Sequence, residues 1–393
     1  MNYKKLLPSL LTLALLFNAC GSNSVEENAH GGSFSKSEKE FVHNLFLTEY
    51  LWYDQVTSNL DYTSIQTPNA LVKELRVSPD IWSFSMNTDE YENFVNQKTE
   101  GFGFGYTPDF VVFLVRIGSP AYGKLHRGDK IIGINNELAS AAAIYEEGQK
   151  LGTSTTFTVL RNGSEEQITI IPREYTFKVT QDKIIQHNNL NVGYLRYDSF
   201  TSTSVGEFEQ AFTRFKQANI DELVIDLRYN GGGSISVASA LLDNISNAQP
   251  GSRQGYLDWN DNQKHKNENF YFSDEVEAND LNMKRVIFLV TKSSASASEL
   301  VISTLKPYLG SSNVVTIGTA THGKNVGMSG KAYGNNYYFL INFFVKNNAD
   351  ETTSFLGIPV TCHADDDLTR AFGDPSETMF STALYYIQNN RCP

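Results

Sequence analysis

Between residues 188 and 360, short apolar runs alternate with segments whose apolar residues recur at the helical period, and no other feature limits the fold so tightly. Residues 192–197, 222–227, 285–290 and 314–317 read as strands, and 204–218, 236–245 and 298–309 as helices. Such alternation predicts a mixed or parallel sheet with helices on its faces, an α/β (mixed) core. Right-handed crossovers then bring strand ends and helix starts to one rim. The polar stretch 256–280, with Trp259, Phe270 and Phe272, reads as a surface excursion, and residues 337–345 as a long core strand. The chain has 393 residues, enough for two or three domains, and is 40% hydrophobic, enough for a large core.

Two segments precede this core. In residues 34–95, a helix is expected over 35–56 from Phe41, Val42, Leu45, Phe46, Trp52 and Tyr53, and a short one over 69–75. Ser78-Pro79-Asp80 reads as a turn. Together these form an N-terminal helical segment too small to be a clear independent unit. Residues 100–173 differ: Gly101, Gly103 and Gly105 alternate with Phe102, Phe104 and Tyr106, before a strand at 111–115. Gly118-Ser119-Pro120-Ala121 and Leu125-His126-Arg127-Gly128-Asp129-Lys130-Ile131 follow, then a short helix and two strands. This pattern resembles a PDZ domain. The resemblance implies that a polypeptide end docks as an added strand, its carboxylate held by backbone N–H groups of the loop Gly101, Phe102, Gly103, Phe104.

The chain opens with an export pattern. Lys4 and Lys5 precede an apolar run from residue 6 to 17, too short to span a bilayer, and then Asn18-Ala19-Cys20. The pattern resembles a lipobox of the Bacteroidetes-like type, which implies removal of 1–19 and lipidation of Cys20. The other reading is an ordinary secretion signal cut near Ala19. Residues 20–33 read as a flexible tether. A lipid anchor would place the protein on a membrane face of the cell envelope, periplasmic or surface-exposed. Export leaves Cys362 and Cys392 in a compartment that permits a disulfide between them.

The net charge of −12 excludes the cationic surface that nucleic acids require. With three cysteines, most cysteine-based zinc sites are excluded as well. His363 with Asp365, Asp366 and Asp367 reads as a solvated acidic loop rather than a metal site, and no cofactor is expected. Three segments carry chemistry. Ser294-Ala295-Ser296-Ala297-Ser298-Glu299 opens a helix directly after a strand, where unpaired N–H groups and the helix dipole favour a developing oxyanion. Gly318-Thr319-Ala320-Thr321-His322-Gly323-Lys324 follows the next strand, and a lysine buried enough to be neutral is a base for serine. Asp226-Leu227-Arg228-Tyr229-Asn230-Gly231-Gly232-Gly233 lets backbone approach a ligand closely. By themselves these segments also fit an N-cap serine, a solvated loop lysine and a flexible turn.

In this order the three segments resemble the C-terminal processing peptidases, also called tail-specific proteases, and with the PDZ-like region the resemblance covers residues 35–385. It implies Ser296 as nucleophile, Lys324 as general base, oxyanion donors at Gly232 and Ala297, and a βα-repeat catalytic core (crotonase-like or ClpP-like) over 180–390. Polypeptides with unstructured C-termini are the implied substrates. Beside the lysine the chain departs from the family at two residues, Met328 where a glutamine orients the lysine and Asn325 where a glycine follows it, and the interval from Ser296 to Lys324 is longer than the family's, which implies an extended loop around Ser311-Ser312-Asn313. These departures leave open a non-catalytic peptide-binding protein, and the same dyad would also suit an esterase-like hydrolase. His322 is expected to line the pocket, and Glu299 to accept bonds at the helix start.

Overall fold

The computed structural model describes residues 34–246, 250–274 and 280–393. Residues 1–19, the tether 20–33 and Cys20 lie outside the described residues. Among those described, no helix is long and apolar enough to cross a membrane.

The core is a six-stranded sheet in the order Thr180–His187, Leu190–Tyr197, Glu222–Asp226, Val286–Val290, Val314–Gly318, Cys362–His363. The first pair is antiparallel and the other pairs are parallel. The strands carry apolar residues continuously because both faces are covered. Leu223, Ile225, Val286 and Phe288 pack beneath the crossover helices Ser204–Gln217, Ile235–Ser246 and Ala297–Leu309. Val224, Ile287 and Leu289 point the other way, toward the helix Thr378–Asn389. Each such side chain contributes about 1.5–3 kcal/mol by burial. A disulfide joins Cys362 to Cys392, with Cα atoms 5.5 Å apart, and ties the last residues to the edge of this sheet.

A second, antiparallel sheet is built around the long strand Asn336–Asn347, which pairs with Val326–Tyr333, Phe84–Asn87 and Arg253–Trp259. Arg253–Trp259 corrects the surface excursion expected for 256–280. It lies between Asn336–Asn347 and Glu268–Tyr271, with Leu257 and Trp259 buried. Its apolar residues alternate with polar ones because only one face is covered, and that alternation hid the strand within a polar segment.

The N-terminal segment shares the core of this second sheet. Val42, Phe46, Leu71, Val72 and Met86 pack with Val326, Met328, Phe339 and Ile341. The first helix runs only from Lys36 to Thr48, shorter than the expected 35–56. The chain leaves the helix because the Leu51 N–H donates to the Ile341 carbonyl and the Tyr50 hydroxyl to Asp80.

The β-rich region has its own apolar core, with Phe102, Phe104, Ile131, Phe157 and Val159, and the helix Ala141–Gln149 on its side. The chain enters and leaves it through one two-stranded ribbon, in which Lys98–Thr99 pairs with Tyr175–Thr176. Phe102 and Phe104 are 5% and 6% exposed, so their side chains fill this core instead of facing a groove. Gly103 has φ +84, and a Cβ there would lie 2.2 Å from Ser119 Cβ. At this loop only backbone is placed to meet a peptide.

Candidate active site

The site is assembled from the rim where the parallel strands end. After Val286–Val290 the chain turns sharply into Ala297–Leu309, and the serine-rich motif makes that turn possible. Ser294 Oγ donates to the Leu227 carbonyl (2.7 Å) and Ser298 Oγ to the Asn230 carbonyl (2.9 Å), while the Ala295 N–H also donates to Asn230 (3.1 Å). The flanking serines thus fasten the motif to the glycine loop. Ser296 sits between them at φ +55, ψ −114, a conformation rare for a non-glycine residue and concentrated at functional sites.

Gly232 lies directly against this turn. A Cβ on it would be 2.8 Å from Ser296 Cβ and 3.0 Å from Ala297 N, and its φ of +108 also requires glycine. The absent side chain leaves space between Ser296 and the Ala297 N–H, a first-turn donor without an intrahelical acceptor. The Gly232 N–H, expected to be a free oxyanion donor, instead donates to Asn230 Oδ1 (2.8 Å). An oxyanion there would have to share or displace that side chain.

Glu299 explains how Ser296 and Lys324 come together. It is 1% exposed, and its carboxylate accepts from the Ser296 N–H (2.9 Å), the Thr321 hydroxyl (2.6 Å), the Gly323 N–H (2.7 Å) and the Lys324 N–H (2.9 Å). Four donors from two loops fill its acceptor sites, so it clamps the loops as a structural anion. Both residues then line one cleft with Ala297, Leu300, Val326 and Val345.

Lys324 is 3% exposed. Burial pushes its ammonium down from 10.5 to about 7, against the upward pull of Asp80 and Glu299. A lysine poised near neutrality is suited to accept a hydroxyl proton. Asp80 comes from the N-terminal segment and was not singled out from the sequence. Its carboxylate is 5% exposed and accepts from Tyr50 Oη (2.9 Å), the Trp82 N–H (2.8 Å), the Ser83 N–H (2.9 Å) and Ser83 Oγ (2.5 Å). The local signal, an Asp after Ser78-Pro79 with N–H donors two and three residues on, announces a turn and nothing about Lys324. Asp80→Asn removes an anion that raises the lysine. The acid limb of the rate profile is therefore expected to move below about 7, whereas damage to folding alone would lower the plateau and leave the limb in place.

Both nitrogens of His322 are engaged. Nε2 accepts from Trp82 Nε1 (3.2 Å), which leaves Nδ1 to donate to the Lys292 carbonyl (3.3 Å). The ring therefore bridges two loops and is occupied as a base. Met328 is fully buried among apolar side chains of the N-terminal segment, and Asn325 Nδ2 donates to the Thr353 carbonyl (2.5 Å). Both departures from the family pattern have local packing or bonding reasons.

The expected solvated acidic loop is corrected at Asp366. This carboxylate pairs with Arg127 of the β-rich region and with Arg228 Nη1 (2.6 Å). Arg228, 1% exposed, also binds Asp226 (3.0 Å) and Glu377 (3.0 Å). Asp365 remains at the surface, 3.8 Å from His363.

The segments that carry Ser296, Lys324 and Asp80 fall within matches to known families. The model of peptidase family S41 matches residues 191–353, and that of the peptidase S41 N-terminal domain matches 37–84. The carboxy-terminal processing protease CtpB of Bacillus subtilis (strain 168) is 28% identical over 193 residues, 46% of this chain and 37% of that protein. A probable CtpA-like serine protease of Staphylococcus aureus (strain MRSA252) is 25% identical over 296 residues, 68% of this chain and 53% of that protein. The chain thus spans about a third to a half of the length of these relatives. In fold it is similar to a solved Bacteroides fragilis structure described as an S41 protease, with TM-score 0.77, 24% identity, and coverage of 89% of this chain and 97% of that one. The photosystem II D1 C-terminal processing protease superposes with TM-score 0.51 at 16% identity, over 83% of this chain and 92% of that one. The matched segments carry Ser296 and Lys324 in one case and Asp80 in the other, so over these two stretches the chain is similar to peptidase family S41.

Proposed function

We propose that the chain is a serine endopeptidase that cuts exported polypeptides near unstructured C-terminal tails. The observation that carries the reading is a buried lysine, lowered to about 7 by desolvation, lining one cleft with a serine held in a strained helix-start turn. Ser296 Oγ passes its proton to neutral Lys324 Nζ and attacks the scissile carbonyl carbon. The carbonyl oxygen, now negative, is held by the Ala297 N–H, with the Gly232 N–H as second donor once Asn230 yields it. The tetrahedral intermediate collapses, Lys324 returns the proton to the leaving amine, and an acyl-enzyme ester remains on Ser296. Water, deprotonated by Lys324, then attacks the ester and restores the serine.

The core is read as crotonase-like or ClpP-like, and the PDZ-like domain as the holder of the tail, using backbone of Gly101–Phe104 beside the helix Ala141–Gln149. The dyad itself calls for no cofactor. The N-terminal pattern supports attachment through Cys20 to a cell-envelope membrane, on the periplasmic side or the cell surface.

The test is incubation of the protein, and of its Ser296→Ala variant, with an unstructured polypeptide ending in apolar residues, followed by mass spectrometry. Fragments from the parent alone are expected, and they give the cleavage register. No fragments from either protein, with both folded and both binding the tail, would sink the enzyme reading in favour of peptide binding.

A further inference from the structure

Residues 354–357 form a tight turn closed by the Gly357 N–H donating to the Ser354 carbonyl (2.9 Å). The central positions of such turns favour Gly, Pro, Asn, Asp and Ser. Here they hold Phe355 and Leu356, which are 41% and 82% exposed. A second loop, far away in sequence, brings Ile81, 67% exposed, and the half-buried Trp82 to the same place. The Trp82 ring stacks on Phe355, with centroids 6.0 Å apart and planes 16° from parallel.

This apolar surface adjoins the cleft. Thr353, two residues before Phe355, lines it together with Ser296 and Lys324. The Phe355 carbonyl lies 2.2 Å from where a Cβ on Gly323 would stand, so the turn is pressed against the residue preceding Lys324. Trp82 is fixed to His322 on the same loop. Two separate loops thus hold large apolar side chains at the rim of the cleft, and among the described residues Ile81 and Leu356 remain largely exposed to water. The docking of these loops against the Lys324 loop fixes their positions, as a recognition surface requires.

We infer that Trp82, Phe355 and Leu356 form an apolar subsite at the rim of the Ser296 cleft, which takes a large apolar side chain of the substrate polypeptide. The inference rests on the peptidase reading and adds a specificity determinant to it. The subsite combines the N-terminal segment with the catalytic core, so selection depends on a part of the chain that carries neither member of the dyad.

The test uses peptides of Gly, Ser and Asn with one common apolar C-terminal end, in which a single Leu, or Ser at the same position, is walked past the cut site. Parent, Leu356→Asp and Phe355→Ser proteins are compared by the ratio of kcat/KM for the Leu peptide to that for the Ser peptide. Burying one leucine predicts a ratio of about 10–100 in the parent at one position. The variants are expected to bring that ratio to within about threefold of one, since leucine burial is then lost. Slower cleavage of both peptides at an unchanged ratio overturns the subsite, because general damage to the fold affects both alike. Should the parent cut neither peptide, the peptidase reading fails separately. Calorimetric binding of the same peptides then decides: a Leu-over-Ser preference lost in Leu356→Asp supports the subsite, and no preference overturns it. Sedimentation of the same proteins provides a further check. A dimer that Leu356→Asp makes monomeric, with the ratio unmoved, assigns the patch to a second copy of the chain and overturns the inference.

Discussion

Replacing Lys324 by methionine is expected to abolish peptide hydrolysis and, at neutral pH, to stabilise the fold. Loss of the general base should cost about 10³–10⁴-fold in kcat/KM. The stability gain follows from proton linkage. In the unfolded chain the lysine titrates near 10.5, and in the fold near 7. Between those values the unfolded state binds the extra proton, so the native protein gains stability as pH rises through that window. At and below about pH 7 the fold carries the full cost of a buried ammonium. Methionine has a similar length and no charge, and it removes that cost, on the order of 5 kcal/mol. The gain should be largest near pH 7 and should shrink toward pH 10 to 11. Thermal melts of both proteins across that range, beside activity profiles, provide the measurement. A Lys324→Met variant less stable than the parent at pH 7 would contradict the desolvated lysine. For the parent, kcat/KM should rise about tenfold per pH unit below 7 and level off above it.

The second large effect is expected at Arg228. This fully buried guanidinium neutralises Asp226 and Glu377, both with no exposed side chain, and reaches Asp366 as well. Arg228→Met leaves carboxylates buried without their cation, a loss of about 3–5 kcal/mol, comparable with much of a domain's stability. Urea midpoints should fall steeply, and soluble yield with them. Adding Glu377→Gln and Asp226→Asn to Arg228→Met should recover part of the loss, because the penalty lies in the orphaned anions. No recovery would mean that Arg228 acts through its packing instead.

The catalytic core was legible because its strands are buried on both faces. Continuous apolar runs such as Val286–Val290 cannot be mistaken for loops, and the intervening helices carry clear periods. Arg253–Trp259 was missed for the opposite reason: one face is uncovered, and Tyr256 and Asp258 dilute the signal. The overlong first helix shows a tertiary bond winning over local pattern, since Tyr50 and Leu51 find better partners in Asp80 and Ile341. Ser296 and Lys324 were visible as motif residues, but their convergence depends on four bonds to Glu299 from two loops. The charge that Asp80 contributes to Lys324 and the partnership of Asp366 with Arg228 were invisible for the same reason, since they are contacts made only by the finished fold.

The pairing of Phe84–Asn87 with Asn336–Asn347 sets a timetable. Phe84 meets Phe339, a partner more than 250 residues later in the chain. At ordinary synthesis rates the N-terminal segment waits roughly 10–50 s for that strand to exist. Until then Trp82 has no His322 to hold and Asp80 no Lys324 to influence. The cleft therefore takes shape only after the residues up to Thr353 have been made, long after the N-terminal segment.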